Sequence, residues 1–169
     1  MIVRKRRLDS PQGTENRTDK YGTFDVLRYS QVGGLTQFGA YVQTLQPGAR
    51  SSDRHWHEGE DEFLYVISGE ATVIEDDGPH VLLPGDAACW PAGTAIAHHV
   101  FNRSKAPCSY LIVGTRAWRD VVHYPDSGEI LYNEEDEQRV IRWRLVRTDG
   151  RTLKSGTYSY ASGSTVDDA

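Results

Sequence analysis

Turn-forming residue pairs recur along most of this sequence and divide it into short segments. The pairs include Pro47-Gly48, Ser68-Gly69, Asp77-Gly78, Pro84-Gly85 and Asn102-Arg103. The segments between them, such as 63–67, 71–74, 81–83 and 110–113, are rich in β-branched, aliphatic and aromatic residues. Short segments of this composition, separated by turns about every eight to twelve residues, are typical of an all-β sandwich or barrel. A chain of 169 residues is long enough for one such domain with its own core.

Further strands are predicted on both sides of this region. On the N-terminal side, residues 23–29 and 37–45 are predicted strands, connected through Gly33-Gly34. On the C-terminal side, 121–124 is a short extended segment, 133–137 an acidic surface loop, and 161–169 a disordered tail. Apolar and arginine residues alternate over 141–145, which favours a strand that continues through Asp149-Gly150 into a hairpin with 152–160. A helix with Asn133 as its N-cap is the alternative for this last region.

Two histidines two residues apart, His55 and His57, place both imidazoles on one face if they lie in a strand. Glu62 follows, directly before the apolar segment 63–67. The polar stretch between them contains Gly59 and is predicted to be a turn or bulge, which returns Glu62 to the side of the histidines. Two neutral imidazoles and a carboxylate, joined by a third imidazole from His98, would suit a divalent transition metal.

Glycine, proline and asparagine residues precede and follow these candidate ligands in the sequence. Gly48 precedes the histidine pair, Gly69 ends the next strand, and a second block contains Gly85, Pro91, Gly93, His98 and Asn102. In this order, the residues from Gly48 to Asn102 resemble the two signature motifs of the cupin superfamily. The sequence has six residues between Gly48 and His55, and four between Gly93 and His98, where the family pattern has five and two. Both insertions fall in predicted turns, where extra residues are tolerated.

The resemblance implies a single-domain, cupin-type jelly-roll barrel, a double-stranded β-sandwich of two packed sheets. It also implies a metal centre with His55, His57, Glu62 and His98 as ligands, holding one divalent transition metal per chain. The identity of the metal is left open among Fe, Mn, Ni, Co and Zn. The adjacent His99 is the competitor of His98, and the spacing to Asn102 favours His98. Tyr41 and Gln43 share one face of the strand that leads to Gly48, so they either line the substrate cavity or face solvent.

The net charge and the composition limit the classes of binding partner expected for this protein. The formal charge of −5 argues against nucleic acid, and the basic stretch 4–7 is interpreted as a solvated tail or strand edge. No apolar stretch is long enough to span a membrane. Nothing in the sequence marks Cys89 and Cys108 as a disulfide pair. Cys89 is expected to be a small buried hydrophobic residue. A cytoplasmic location is expected. The apolar residues on both faces of 63–67 predict a homodimer.

The predicted organisation is an N-terminal part of strands and tail (1–34), a core with both motifs (35–116), a C-terminal extension of strands and loops (117–160) and the tail (161–169). The resemblance is to small bacterial single-domain cupins that have no assigned reaction. We therefore expect a metal-binding protein that acts on a small polar or carboxylate metabolite as an oxygenase, isomerase or lyase. The alternatives are a non-catalytic module that binds or senses a small molecule and, more weakly, a structural or storage protein.

Overall fold

The chain is predominantly β-structure in the computed structural model, which describes residues 1–5 and 13–159. Within these residues it forms the strands β1 (Thr14–Asp19), β2 (Gly22–Leu27), β3 (Phe38–Leu45), β4 (Trp56–His57), β5 (Glu62–Ser68), β6 (Ala71–Glu75), β7 (Gly78–Leu82), β8 (Ala87–Trp90), β9 (His99–Phe101), β10 (Cys108–Thr115), β11 (Arg119–Tyr124), β12 (Glu129–Glu135), β13 (Val140–Arg147) and β14 (Thr152–Ser159), with one helix, α1 (Tyr29–Gly33). None of the described helical structure is long and apolar enough to cross a membrane. The all-β prediction is confirmed.

Six strands form the larger sheet, in the order β1-β2-β3-β10-β5-β8, and every pairing in it is antiparallel. Side chains alternate across its two faces because the period of a strand is two residues. In β5, Leu64 and Val66 are fully buried, whereas Phe63, Tyr65 and Ile67 are exposed. One face of this sheet therefore forms the core and the other faces outward.

The second layer consists of two smaller sheets, ordered β14-β13-β12-β11-β4 and β7-β6-β9. Val73 of β6 and Val100 of β9 belong to the same buried cluster as Leu64 and Tyr110 of the larger sheet. This shared core holds the sheet β7-β6-β9 face to face with the larger sheet, and the predicted sandwich is confirmed. The C-terminal strands continue from β4, which carries His57, so the C-terminal extension is joined directly to the strand of the histidine pair.

The turn between β5 and β6 requires the glycine of the first motif. Gly69 has a φ of +76°, and a Cβ there would lie 2.5 Å from the carbonyl oxygen of Pro107. Any larger residue would have to adopt a left-handed backbone and displace a neighbouring main chain. This close approach brings the chain after Ser68 against the start of β10.

Several predicted elements differ from the structure. The strand β1 was not predicted, because its polar, largely exposed sequence carries no apolar alternation. The prediction of a loop over 133–137 is wrong for Asn133 to Glu135, which end β12. Around residue 143, the prediction of a strand rather than a helix is confirmed. This segment is β13, which pairs with β12 and β14. The predicted tail 161–169 lies outside the described residues.

The prediction that Cys89 is buried is wrong. Cys89 is exposed, and Cys108 is buried. β8 pairs with β5, and Cys89 lies opposite Phe63 on the outward face. An apolar segment of four residues does not reveal which of its alternating positions faces the core, and here those positions are Ala88 and Trp90.

Candidate metal centre

The four predicted ligands lie on neighbouring segments between the layers. His55 and His98 form an isolated antiparallel bridge, His57 lies in β4, and Glu62 begins β5. Potential ligand atoms of His55, Glu62 and His98 all lie within 4.8 Å of one another. The His57 ring centroid lies 5.1 Å from that of His55. The structure therefore brings His55, Glu62 and His98 into one cluster with His57 adjacent, and the complete four-ligand set remains a prediction.

The three histidines share one hydrogen-bonding pattern. Each Nδ1 faces an oxygen: the carbonyl of Asp53 for His55 at 2.9 Å, the carboxylate of Asp120 for His57 at 2.6 Å, and the carbonyl of Ile96 for His98 at 3.1 Å. A neutral imidazole that donates from Nδ1 has its lone pair on Nε2. This tautomer, fixed by an acceptor behind the ring, is the form in which histidine ligates a metal through Nε2.

His98 has an acceptor at each ring nitrogen. Besides the Ile96 carbonyl at Nδ1, its Nε2 lies 2.8 Å from Oε2 of Glu62. Without a cation, this ring satisfies both acceptors only by carrying two protons. A divalent metal held jointly by Nε2 of His98 and the carboxylate of Glu62 would replace the second proton. The donor set therefore fits the metal ion that the sequence predicts.

Burial and charge act together on two of these side chains. Burial lowers the pKa of His55 to about 4, which keeps its imidazole neutral and able to ligate a cation. Burial alone would raise the pKa of Glu62, but the hydrogen bond from His98 and the nearby imidazoles lower it to about 2. A neutral imidazole and an ionised carboxylate are the forms that a metal site requires.

Asp120 was missed by sequence reasoning. It lies in β11, is buried, and accepts hydrogen bonds from the His57 ring and, through Oδ1, from the Gly59 backbone NH at 2.9 Å. Ligand atoms of His57, Glu60 and Asp120 also lie within 4.8 Å of one another. Asp120 thus orients the His57 ring and the turn that follows it. A single carboxylate distant in the sequence gives no local signal for this role.

Trp90 supports the site from behind, whereas Asn102 orders a turn of the second motif. The Trp90 ring stacks on the His98 ring, with centroids 3.7 Å apart and planes 6° from parallel, and its Nε1 donates to Oε1 of Glu75 at 2.7 Å. Asn102 of the second motif is fully buried; it donates to the Leu45 carbonyl of β3 and binds backbone and side-chain groups of the turn that follows it. Of the adjacent histidines, His98 is the one whose Nε2 faces Glu62, and its choice over His99 as a ligand remains a prediction.

Tyr41 and Gln43 lie on the wall of a cavity of about 380 Å³ that also borders His55, Glu62 and His98. Gln43 is buried, and its Oε1 accepts a hydrogen bond from the Tyr110 hydroxyl at 2.8 Å. Within the described residues, the Tyr41 hydroxyl has no hydrogen-bond partner. Both side chains face inward rather than to solvent, and their contact with a substrate remains a prediction.

A second cavity of about 350 Å³ reaches the same centre from another side. Its lining includes Arg28, Tyr41, His55, His57, Glu60, Glu62 and Arg116. Burial raises the pKa of Glu60 to about 7, above that of an ordinary carboxyl group. A small polar molecule in this cavity would therefore meet the candidate metal ligands, a carboxyl group able to exchange a proton near neutral pH, and two guanidinium groups.

The fold and the site define a β-sandwich protein with a cluster of side chains that could hold a metal ion between its layers. The model of the Cupin domain matches residues 41–114, which include both motifs. Protein SchB of Streptomyces halstedii is 30% identical over 117 residues, 69% of this chain and 79% of that protein. The chain belongs to the cupin superfamily, as its motifs indicated.

Two solved structures are similar over most of their length. A sugar phosphate isomerase of the cupin superfamily from Silicibacter pomeroyi is 37% identical, with a TM-score of 0.70, over 78% of this chain and 80% of its own. A protein from Acidithiobacillus ferrooxidans, provisionally designated a sugar phosphate isomerase, is 27% identical, with a TM-score of 0.74, over 90% of this chain and 96% of its own. Both similarities extend well beyond the two motifs.

Proposed function

We propose that this protein is a metal-dependent isomerase that acts on a small phosphorylated sugar. The observation that supports metal dependence is the contact between His98 and Glu62. Nε2 of His98 lies 2.8 Å from Oε2 of Glu62, while the carbonyl of Ile96 is the acceptor at its Nδ1. Among the oxygenase, isomerase and lyase reactions expected from the sequence, isomerisation is favoured by what the two similar structures are called. A carboxyl group and two guanidinium groups in the adjoining cavity suit such a substrate.

His55, His57, Glu62 and His98 are the residues that would hold the ion. When bound, a divalent ion at this position supplies polarisation of a carbonyl oxygen. The protein keeps the ligands ready for it by hydrogen bonds to each Nδ1, and Asp120 holds the ring of His57 in this way. The chain itself therefore contributes ligand tautomers and orientation.

Isomerisation of an aldose to a ketose moves one proton from C2 to C1 and another from the C2 hydroxyl to the C1 oxygen. We assign the carbon-to-carbon transfer to Glu60, which lines the same cavity as His55 and His57. Its Oε1 accepts the backbone NH of Ala117 at 3.0 Å, and this bond fixes the orientation of the carboxyl group. The carboxylate takes the C2 proton, the carboxyl group so formed exchanges this proton with solvent, and it gives a proton either back to C2 or on to C1, so it is unchanged at the end of the cycle.

Deuterium exchange at C2 of an aldose phosphate tests this reaction directly. The protein, purified without added metal or a nickel-binding tag, is first analysed for bound metals and then incubated with aldose phosphates in D₂O. We expect about one equivalent of metal, lost in the His55→Ala/His57→Ala double variant, and exchange at C2 followed by ketose formation, both read by proton NMR.

Matched substitutions locate the activity. Glu62→Gln and Glu60→Gln should abolish exchange, and Glu60→Gln should retain its metal. Glu134→Gln changes an exposed carboxylate paired with Arg119 and should exchange as the wild type does. Bound metal without exchange on any sugar phosphate would overturn the isomerase assignment and leave a metal-containing binding protein. Absence of metal, with no rise in melting temperature on adding divalent ions, would overturn the metalloenzyme proposal itself.

We also propose a homodimer that uses the outer face of β5. Phe63, Tyr65 and Ile67 are 36%, 41% and 47% exposed, and three adjacent large apolar side chains make this face suited to pairing. Light scattering of the protein as it elutes from a size-exclusion column should give twice the chain mass for the wild type and the chain mass for Tyr65→Arg. Tyr132→Arg, at a similarly exposed tyrosine of the other layer, is the control, and a monomeric wild type would refute the dimer.

A further inference from the structure

Two arginines border the cavity that reaches the candidate metal centre. Arg28 follows β2, Arg116 follows β10, and both line this cavity together with His55, Glu62 and Tyr41. Both arginine residues are partly buried. In the sequence they are 88 positions apart (116 minus 28), so only the pairing of β2 and β10 with β3 brings them to one cavity.

Each guanidinium group is held by a partner on its own side of the cavity. Arg28 forms an ion pair with Glu15 of β1, and Nη1 of Arg116 donates to the carbonyl oxygen of Leu35 at 2.7 Å. A guanidinium group carries five N–H donors in a rigid plane, so it can keep such a partner and bind an anion as well. These contacts limit the orientations of both side chains before any ligand arrives.

Tyr41 supplies a third donor on the wall of the same cavity. It also lines the larger cavity beside it, and Arg28 and Glu62 border both. Within the described residues no protein group forms a hydrogen bond with it, although its ring lies on the cavity wall. A hydroxyl in such a position costs free energy unless water or a ligand satisfies it.

We propose that Arg28, Tyr41 and Arg116 form an anion subsite that binds the phosphate group of the substrate while its carbonyl end lies at the metal centre. This inference rests on the proposed function, which supplies the phosphorylated sugar. Paired guanidinium groups are the recognition groups most suited to phosphate, because their N–H donors match its oxygens in geometry and charge. The arrangement would place a substrate along the cavity with its ionised end away from the metal.

Three carboxyl groups line the same cavity and would oppose an anion: Glu60, Asp61 and Glu62. Glu62 faces His98, and Oδ1 of Asp61 accepts the backbone NH of Ala92 at 2.8 Å. A divalent cation at the metal centre would offset the charge of Glu62. Phosphate should therefore bind more tightly to the metal-loaded protein than to the metal-free protein, since like charges repel less once one of them is neutralised.

Titration calorimetry with inorganic phosphate tests the subsite without requiring turnover. We expect saturable binding to the metal-loaded wild type, weakened at least about tenfold in Arg28→Gln and in Arg116→Gln, because each loses a charged hydrogen-bond donor. Tyr41→Phe, which keeps the ring and removes only the hydroxyl, should weaken binding by a smaller factor. Arg151→Gln, at an exposed arginine that borders none of these cavities, is the matched control and should bind phosphate as the wild type does.

The outcomes separate this inference from the proposed function. Phosphate binding that depends on both arginines, without C2 exchange on any sugar phosphate, would support the subsite and overturn the isomerase reaction. Exchange that proceeds equally well on phosphorylated and unphosphorylated sugars, with no phosphate binding, would overturn the subsite alone. Wild-type affinity in folded Arg28→Gln, Arg116→Gln and Tyr41→Phe variants, each checked by its melting temperature, would also overturn it.

Discussion

The His57 ring and the Asp120 carboxylate are 2.6 Å apart at Nδ1 and Oδ2, and Asp120 is 4% exposed. Burial disfavours the charged form of each group, but their mutual hydrogen bond and charges prevail. They raise the pKa of His57 and lower that of Asp120. The second oxygen of Asp120 holds the backbone at Gly59. One carboxylate thus sets the tautomer of a predicted ligand and the position of the turn beside it.

Asp120→Asn should weaken metal binding about 10- to 100-fold, because its one amide oxygen stays with the Gly59 NH and its NH2 group then faces Nδ1 of His57, which disfavours the tautomer that ligates through Nε2. The substitution preserves size and leaves an oxygen for the Gly59 backbone, so the melting temperature of the metal-free protein should change much less. Competition with a chromogenic chelator measures the affinity. Asp149→Asn, in the exposed turn between β13 and β14, is the control, and equal affinities of the two variants would contradict the prediction.

Trp90 should affect the metal centre through His98. Trp90→Leu removes the ring stacked on His98, and we expect metal affinity to fall about tenfold, in the range seen for residues that orient ligands. Trp90→Phe keeps a ring but loses the bond to Glu75, so its loss should be smaller. Calorimetric titration with Co²⁺ compares them, with Trp118→Leu at an exposed tryptophan as control. A Leu variant that is less stable but binds as tightly would show that Trp90 serves packing alone.

Asn102 should matter for stability rather than for metal binding. Its Nδ2 donates to the carbonyls of Leu45 and Ala106 at 2.9 and 2.8 Å, and its Oδ1 accepts from the NH and hydroxyl of Ser104. Asn102→Leu would leave the buried Leu45 carbonyl without this partner and release the partly buried turn at Ser104, so the free energy of unfolding should fall by about 2–4 kcal/mol. Urea unfolding measures it. Ser104→Ala should cost less, and an unchanged metal content of folded Asn102→Leu is expected.

The ion pair of Arg54 and Asp126 should stabilise the protein above about pH 4. Two hydrogen bonds from Arg54, at 3.1 and 2.6 Å, hold the pKa of Asp126 below its usual value. Since the unfolded pKa is about 3.9, the stabilisation is complete above that value and is lost as pH falls through the lower folded-state pKa. The pair is largely exposed on the aspartate side, so about 1 kcal/mol or less is expected.

Unfolding midpoints of the wild type and Asp126→Asn, measured from pH 7 to pH 3, test this prediction. The two proteins should differ at pH 7 and converge at the acidic end. A difference that stays constant over the whole range would mean that ionisation of Asp126 contributes nothing.

Much of the fold could be predicted from local patterns. Alternating apolar residues and turn signals predict strands such as β3, β6, β10 and β13, because burial of one sheet face imposes a period of two. The polar edge strand β1 and the end of β12 were missed, since their hydrogen bonds depend on partners and not on their own composition. Cys89 was placed on the wrong face, because a four-residue apolar segment leaves its register open.

At the site, the sequence by itself determined the candidate ligands, because motif spacing limits which side chains can share a face. Only the tertiary structure decided what surrounds them. Asp120, Trp90 and Arg116 come from β11, β8 and the end of β10, and no local pattern links them to His57, His98 or Tyr41. Their proximity results from strand pairing and layer packing between distant parts of the chain. Local sequence indicates which residues are the candidate metal ligands. The orientation of their side chains and the charge of the cavity depend on contacts that only folding creates.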